Sequence, residues 1–137
     1  MKAYLMLQIS QPQIQTFTQN PDTADIITRR IRELNDDFRK NGSTVSLPHG
    51  RKLMTAGVTA LGPAHTVAIA LKVITFNAFN DANDPHGEHD FGSFEHNGET
   101  IFWKIDYYSR DMERGSPDPS EPSVTCRVLT VLLASEY

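Results

Sequence analysis

The dipeptide Asn97-Gly98 constrains the fold of this 137-residue chain more than any other local feature. It lies between two runs in which apolar and polar residues alternate, and Asn-Gly in that setting is typical of a two-residue β-hairpin turn. We therefore predict an antiparallel hairpin over about residues 90–108. Its second strand should place four residues on one face, namely Ile101, Trp103, Ile105 and Tyr107.

The turn also fixes which residues of the two strands face each other. Counting outward from it pairs Gly92 with Trp103, where the missing side chain leaves room for an indole ring. If the ladder continues, His89 lies opposite Asp106 on the same face, with Cβ atoms about 4.5–5.5 Å apart. A carboxylate beside an imidazole holds its tautomer and raises its basicity. His89 and Asp106 are therefore candidate catalytic residues for acid–base chemistry.

Residues 83–91 concentrate two histidines and three carboxylates in nine positions. Histidine and carboxylate side chains together bind zinc, manganese or iron. The candidate ligands of such a divalent metal are His86 and His89, with Asp84 or Asp106 as the third. The alternative is purely structural, because Asn-Asp-Pro favours a turn and loops rich in these residues are often only solvated. The sequence leaves both interpretations open.

Hydrophobic periodicity predicts three helices beside the hairpin. The first covers about residues 22–41, where apolar residues recur at steps of four, three and four. The second covers about residues 63–79, and apolar residues surround its axis, which predicts a central buried helix. The third covers about residues 123–135 after a proline-rich loop. Its β-branched residues make a strand the competing interpretation there.

These elements predict an α+β fold class in a single domain, with the hairpin and one or two further short strands packed against the helices. Residues 44–47 alternate between polar and apolar and are a candidate for one such strand. Residues 1–21 are rich in glutamine and are interpreted as an N-terminal extension or an edge strand. The domain would then cover residues 22–137, which is long enough for a real hydrophobic core.

Composition and charge limit the class of protein. The net charge is −4, but residues 81–121 contain eleven acidic and three basic residues and therefore carry −8. That region attracts a basic surface and repels a nucleic-acid backbone. The apolar runs are shorter than the roughly 20 residues that a membrane span needs, and the single cysteine, Cys126, excludes an internal disulfide. We expect a cytoplasmic protein that binds no membrane and does not bind nucleic acid directly.

Four segments of the chain form a familiar series. They are IRELNDDFR at residues 31–39, NDPHGEHDFG at 83–92, WKIDYY at 103–108 and TCRVLT at 125–130. The series resembles a family of small uncharacterised proteins found on proteobacterial plasmids and prophages, over about residues 25–137. The function of that family is undefined, so the resemblance carries over no catalytic residue. It implies a mobile-element context, in which small proteins often regulate replication or block host defences such as restriction and CRISPR systems.

These observations together predict a binding protein from a mobile element rather than an enzyme. Its acidic surface would engage a basic protein partner, such as a nucleic-acid-handling defence complex. The residues of that surface would be His86, Glu88, His89, Asp90 and Asp106. The alternative is a metal-binding protein or a metal-dependent hydrolase centred on His86 and His89.

Overall fold

A computed structural model describes residues 21–41 and 50–137 of the chain. Three helices and four strands make up the regular structure of these residues. In chain order they are α1 (Pro21–Asn41), β1 (Gly50–Met54), α2 (Ala56–Thr59), α3 (Pro63–Thr75), β2 (Phe91–His96), β3 (Glu99–Tyr108) and β4 (Cys126–Leu133). Short 3₁₀ turns precede and follow β4, at Pro122–Val124 and Ala134–Glu136.

The four strands form one mixed sheet in the order β1-β4-β3-β2. β4 pairs with β1 in parallel and with β3 antiparallel, and β2 and β3 form a hairpin. The helices pack on one face of this sheet, so the predicted α+β single domain is confirmed. The predicted boundary at residue 22 stays a prediction, since residues 1–20 lie outside the described part of the chain, as do residues 44–47.

The core lies between the sheet and the helices. Trp103 at the middle of β3 is fully buried, with Ile101 and Ile105 on the same face, as period-two alternation requires. Helix α3 contributes Ile69 and Val73 to this core. Because aromatic side chains bury the largest apolar areas, Trp103 is its largest single apolar contributor.

The predicted hairpin register is confirmed. Gly92 pairs with Trp103, and His96 pairs with Glu99 across the turn. Asn97 and Gly98 have φ angles of 53° and 82°, which is the left-handed pair that a type I′ turn requires. The alternation of apolar and polar residues along β3 therefore determines which of its side chains face the core.

The predicted helix over residues 123–135 is wrong, because residues 126–133 form strand β4. This strand is central, with β1 on one side and β3 on the other. Val128 and Leu132 are buried on one face and Leu129 and Val131 on the other. A strand that is buried on both faces gives a continuous apolar run instead of an alternating one, and periodicity cannot distinguish such a run from a buried helix.

The second predicted helix is shorter and less buried than expected. α3 ends at Thr75 and does not continue to residue 79, and it lies at the surface instead of the centre. Val67 and Leu71 are 69% and 60% exposed. The rest of the apolar run lies beyond the end of the helix, where Phe76 is buried and Phe79 packs against the core. None of the helices in residues 21–41 and 50–137 is long and apolar enough to cross a membrane.

Helix α1 confirms the first predicted helix, although its buried face is more polar than the periodicity indicated. Ile31 and Phe38 are buried as expected, whereas Ile27 is 45% exposed. Asn35 and Arg39 share the buried face, at 0% and 1% exposed. The helix therefore carries hydrogen-bonding groups into the interior, where each must find a partner.

A cluster of three basic side chains joins α3 to β2. His65 Nδ1 lies 3.0 Å from His96 Nε2, and Lys72 Nζ lies 3.2 Å from His96 Nδ1. Since an ammonium group can only donate, His96 accepts at Nδ1 and donates from Nε2 to His65. Partial burial lowers the pKa of His96, and the charges of Lys72 and His65 lower it further. The contact is satisfied only while His96 is neutral.

We predict that the protein loses stability as the pH falls below about 6.5, the ordinary pKa of histidine. The folded state holds the pKa of His96 below that value, so the unfolded chain binds the proton first and unfolding becomes more favourable. The midpoint of thermal unfolding, followed by circular dichroism from pH 8 to pH 5, should decline less steeply in His96→Gln. The exposed His86→Gln serves as control, and identical pH profiles for His96→Gln and the wild type would contradict the prediction.

Gly92→Ala should destabilise the protein by about 1–3 kcal/mol, the usual effect of inserting a methyl group into a filled core. A Cβ atom at this position would overlap the indole of Trp103 and lie 2.9 Å from Phe76 Cζ. Urea unfolding measures the change, with the exposed neighbour Ser93→Ala as control. Equal stability of Gly92→Ala and Ser93→Ala would show that the indole can move aside.

Candidate functional site

The segment with two histidines forms a loop that is folded by its own hydrogen bonds. The side chain of Asn80 accepts from the amides of Ala82 and Asn83 at 2.8 and 3.1 Å. Asp84 Oδ1 then accepts the amide of His89 at 3.0 Å. These are Asx-type contacts, in which a short polar side chain substitutes for a backbone partner. The loop therefore has one defined path. We refer to residues 81–90 as the acidic loop.

Helix α1 fixes the acidic loop from the side. Arg32 Nη1 donates to the carbonyl of Gly87 at 2.9 Å, and Asn35 Nδ2 donates to the carbonyl of Glu88 at 3.0 Å. Gly87 has a φ of 70°, so its backbone takes a left-handed turn that favours glycine. Helix α1 thus holds the loop by two of its backbone carbonyls.

A buried polar network extends from this contact into the sheet. Asn35 Nδ2 also donates to the Tyr107 hydroxyl at 2.7 Å, and that hydroxyl donates to Glu88 Oε1 at 2.7 Å. Arg127 on β4 donates from Nε to Asn35 Oδ1 at 2.7 Å and from Nη2 to the carbonyl of Pro119. Burial, together with the hydrogen bond to Glu88, raises the pKa of Tyr107, which stays protonated and keeps its donor role. The acidic loop is therefore anchored to both α1 and the sheet.

His89 occupies the most chemically defined position in the loop. Its Nδ1 lies 2.9 Å from Asp36 Oδ1, and its ring stacks on Phe79 with centroids 3.7 Å apart and planes 4° from parallel. Asp84 Oδ2 lies 3.8 Å from His89 Nε2. In the neutral ring, donation from Nδ1 to Asp36 leaves Nε2 without a proton. The imidazole is thus held in one tautomer and one orientation.

The predicted pairing of His89 with Asp106 is wrong. The ladder ends at the pair Phe91 and Lys104, with one further bond from the amide of Ile105 to the carbonyl of Asp90 at 2.9 Å. His89 has a φ of 56°, so the chain leaves the strand there and turns toward α1. Asp106 instead accepts from Lys104 Nζ at 2.8 Å, on the sheet face opposite the core.

The four predicted metal ligands are not brought together. His86 is exposed, His89 is bound to Asp36, and Asp106 lies on the other face of the sheet. Within residues 21–41 and 50–137, no three His, Cys, Asp or Glu side chains are placed as a metal ion requires. His89 and Asp84 are neighbours, but the geometry of the described residues supplies no third ligand.

The environment of Asp90 in the acidic loop disfavours its ionised form. Burial raises the pKa of Asp90, and the charge of Glu88 raises it further. Asp84 adds to the same effect, while His86 opposes it. The sequence has no lysine or arginine between Lys72 and Lys104, so the arginines near the loop come from elsewhere in the fold, namely Arg32, which donates to the carbonyl of Gly87, and Arg127, which interacts with the charge of Glu88.

Sequence reasoning missed the residues of α1 that organise the site. These residues are Arg32, Asn35, Asp36 and Arg39. The sequence did contain a pattern that could have identified them. These polar residues recur every three or four positions, which is the same helical spacing that separates the apolar residues of the buried face. Polar residues at that spacing, on the face that a helix buries, indicate hydrogen-bonded partners elsewhere in the fold.

Comparison with known protein families identifies a family to which most of the described chain is similar. A family model described as "Protein of unknown function (DUF3768)" matches residues 54–136, which is more than half of the chain. The matched region includes the acidic loop, strands β2, β3 and β4 and the last residue of β1. It does not include helix α1. No curated protein and no solved structure matches the chain.

Asn35→Ala should destabilise the protein by about 1–3 kcal/mol or more, because each buried polar group that loses its partner adds a penalty of that size. Arg127 Nε and the carbonyl of Glu88 would both lose a partner. Urea unfolding measures the stability, and hydrogen exchange at the amides of Gly87 and His89 reports the loop. Glu33→Ala, which is exposed on the same helix, is the control. A loss no greater than that of the control would mean that the network is not a structural anchor.

Proposed function

We propose that this chain, which belongs to the DUF3768 family of proteins of unknown function, is a binding protein whose acidic loop engages a basic protein surface. The partner class that fits is a nucleic-acid-handling complex of host defence, because such complexes hold nucleic acid with lysine and arginine. The chain would act by competing for those side chains and by blocking access sterically.

The observation that carries the proposal is the environment of Asp90, which disfavours the negative charge of its carboxylate. Its carboxylate is half-buried beside Glu88, and both effects raise its pKa. A group whose charged form is disfavoured by the fold reduces stability at neutral pH, and such groups cluster at functional sites. A lysine or arginine from a partner would reverse the effect, because an opposite charge nearby favours the ionised carboxylate.

The rigidity of the acidic loop supports the same function. Arg32 and Asn35 hold its carbonyls, and Tyr107 holds the carboxylate of Glu88. A surface that is already ordered loses little conformational entropy when it binds. Asp106 does not belong to this surface, because it lies on the opposite face of the sheet and pairs with Lys104.

A second candidate function rests on a different observation, the 2.9 Å contact between His89 Nδ1 and Asp36. A histidine oriented in this way by a carboxylate is the arrangement of a general base. His89 Nε2, the atom that would take the proton, lies 3.8 Å from Asp84, and the ring is partly exposed. This arrangement supports metal-free acid–base chemistry better than the predicted metal-dependent hydrolysis, which needs a third ligand.

The variant Asp90→Asn should change stability and partner binding in opposite directions. The pKa of Asp90 is higher in the folded state than in the unfolded chain, so its ionised form lowers stability at every pH above its ordinary pKa of 3.8. The neutral amide should therefore raise the melting temperature at pH 7, and this gain should shrink below pH 4. The same change should weaken binding to the partner, since it removes a carboxylate from the contact.

The binding experiment uses affinity capture from a proteobacterial host lysate, with wild-type chain, Asp90→Asn and His89→Gln. Glu99→Gln, an exposed carboxylate at the hairpin turn, removes the same charge elsewhere and serves as control. We expect a basic partner whose capture falls with salt and with Asp90→Asn, and whose nucleic-acid binding is inhibited by the wild-type chain. Equal capture by all four proteins would contradict the proposed surface. Loss with His89→Gln alone would favour the second candidate.

A further inference from the structure

A cavity of about 350 Å³ lies on the helical side of the sheet, away from the acidic loop. It is formed where the C-terminal end of α1, strand β1 and helix α3 meet. The apolar part of its wall includes Met54, Ala70, Val73 and Leu129. Small-molecule sites are concave, mostly apolar and about 300–1,000 Å³ in volume, so this cavity has the size and character of a ligand site.

The polar part of the cavity wall carries one sign of charge. Arg39, Lys40 and Lys52 line it, and none of the described lining residues is acidic. Neither lysine has a carboxylate partner within the described part of the chain. A mostly apolar wall that also carries cationic groups is complementary to a molecule that has an apolar body and an anionic head.

The cations are also close enough to oppose one another. Lys52 Nζ donates to the backbone carbonyl of Arg39 at 3.2 Å. Partial burial lowers the pKa of Lys52, and the positive charge of Arg39 lowers it further. Asp36 pairs with Arg39 at 3.1 Å, but Arg39 Nε is buried and has no hydrogen-bond partner among the described residues. An anion placed between these groups would relieve the repulsion.

We propose that this cavity binds a small amphipathic carboxylate, with its apolar chain against Met54, Ala70 and Val73 and its head group beside Lys40 and Lys52. Arg39 contributes a fixed charge and not a direct contact, because its Nη1 and Nη2 atoms are already used by the carbonyls of α3 and by Asp36. Lys52 Nζ donates to the carbonyl of Arg39, and since an ammonium group carries three donor hydrogens, it can also provide the specific hydrogen bond to the carboxylate.

The test uses decanoate as the probe, measured by isothermal titration calorimetry on the full chain. We expect saturable binding, and weaker binding of 1-decanol, which has the same apolar chain and no charge. Lys52→Gln should weaken decanoate binding about tenfold, the effect of losing one charge-assisted hydrogen bond. Lys72→Gln is the matched control, because Lys72 lies on α3 but contacts Glu95 and His96 instead of the cavity.

A second variant tests the cavity itself. Ala70→Leu places additional carbon atoms in the cavity and should abolish decanoate binding, and circular dichroism shows whether the fold is retained. If Ala70→Leu does not fold, Lys52→Gln and the comparison with 1-decanol decide the matter. No heat of binding at millimolar decanoate would overturn the proposal. Equal affinity for decanoate and 1-decanol, or equal weakening by Lys52→Gln and Lys72→Gln, would overturn it as well.

Discussion

The helical layer depends on the hydrogen bonds that the buried guanidinium of Arg39 makes with α3 and with Asp36. Its Nη1 donates to the carbonyls of Val73, Ile74 and Phe76, at the end of α3, where the last carbonyls of a helix lack the intrahelical partners of its interior. Its Nη2 donates to Asp36, and its central carbon, Cζ, lies 5.0 Å from the centroid of the Trp103 ring. A buried cation is tolerated only when such partners surround it. One side chain therefore joins α1 to α3 and fixes both against the central residue of the sheet.

Helix α1 is consequently both a structural element and the frame of the candidate site. Asp36 Oδ1 contacts both Arg39 Nη2 and His89 Nδ1, so the residue that pairs with the core cation also orients the imidazole. Arg32, one turn earlier, and the adjacent Asn35 hold the acidic loop. A change in the position of α1 would therefore alter the loop, the imidazole and the wall of the cavity together, because the same helix face contacts all three.

The prediction of the hairpin was correct because its determinants are local. Asn97 and Gly98 adopt the positive φ angles that few other residues tolerate, and the alternation of β3 follows from a sheet with one buried face. The extrapolation from the hairpin to His89 failed two residues beyond the ladder, because hydrogen bonds to Asp36 and Asp84 decide its position there. Those partners are distant in sequence, and no local pattern identifies which carboxylate a histidine will reach.

The sequence by itself determined the α+β class, the register of the hairpin, helix α1 and the acidity of the loop. Each of these follows from propensity, periodicity or charge within one short segment. The tertiary structure alone decided that residues 126–133 form a strand, since their apolar run is compatible with a buried helix until β1 and β3 pair on either side. It also decided that Asp36 and not Asp106 holds His89, and that Arg39 closes α3. The physical reason is the same in each case, because buried polar and apolar groups find their partners across the fold and the choice among them depends on the packing of the whole chain.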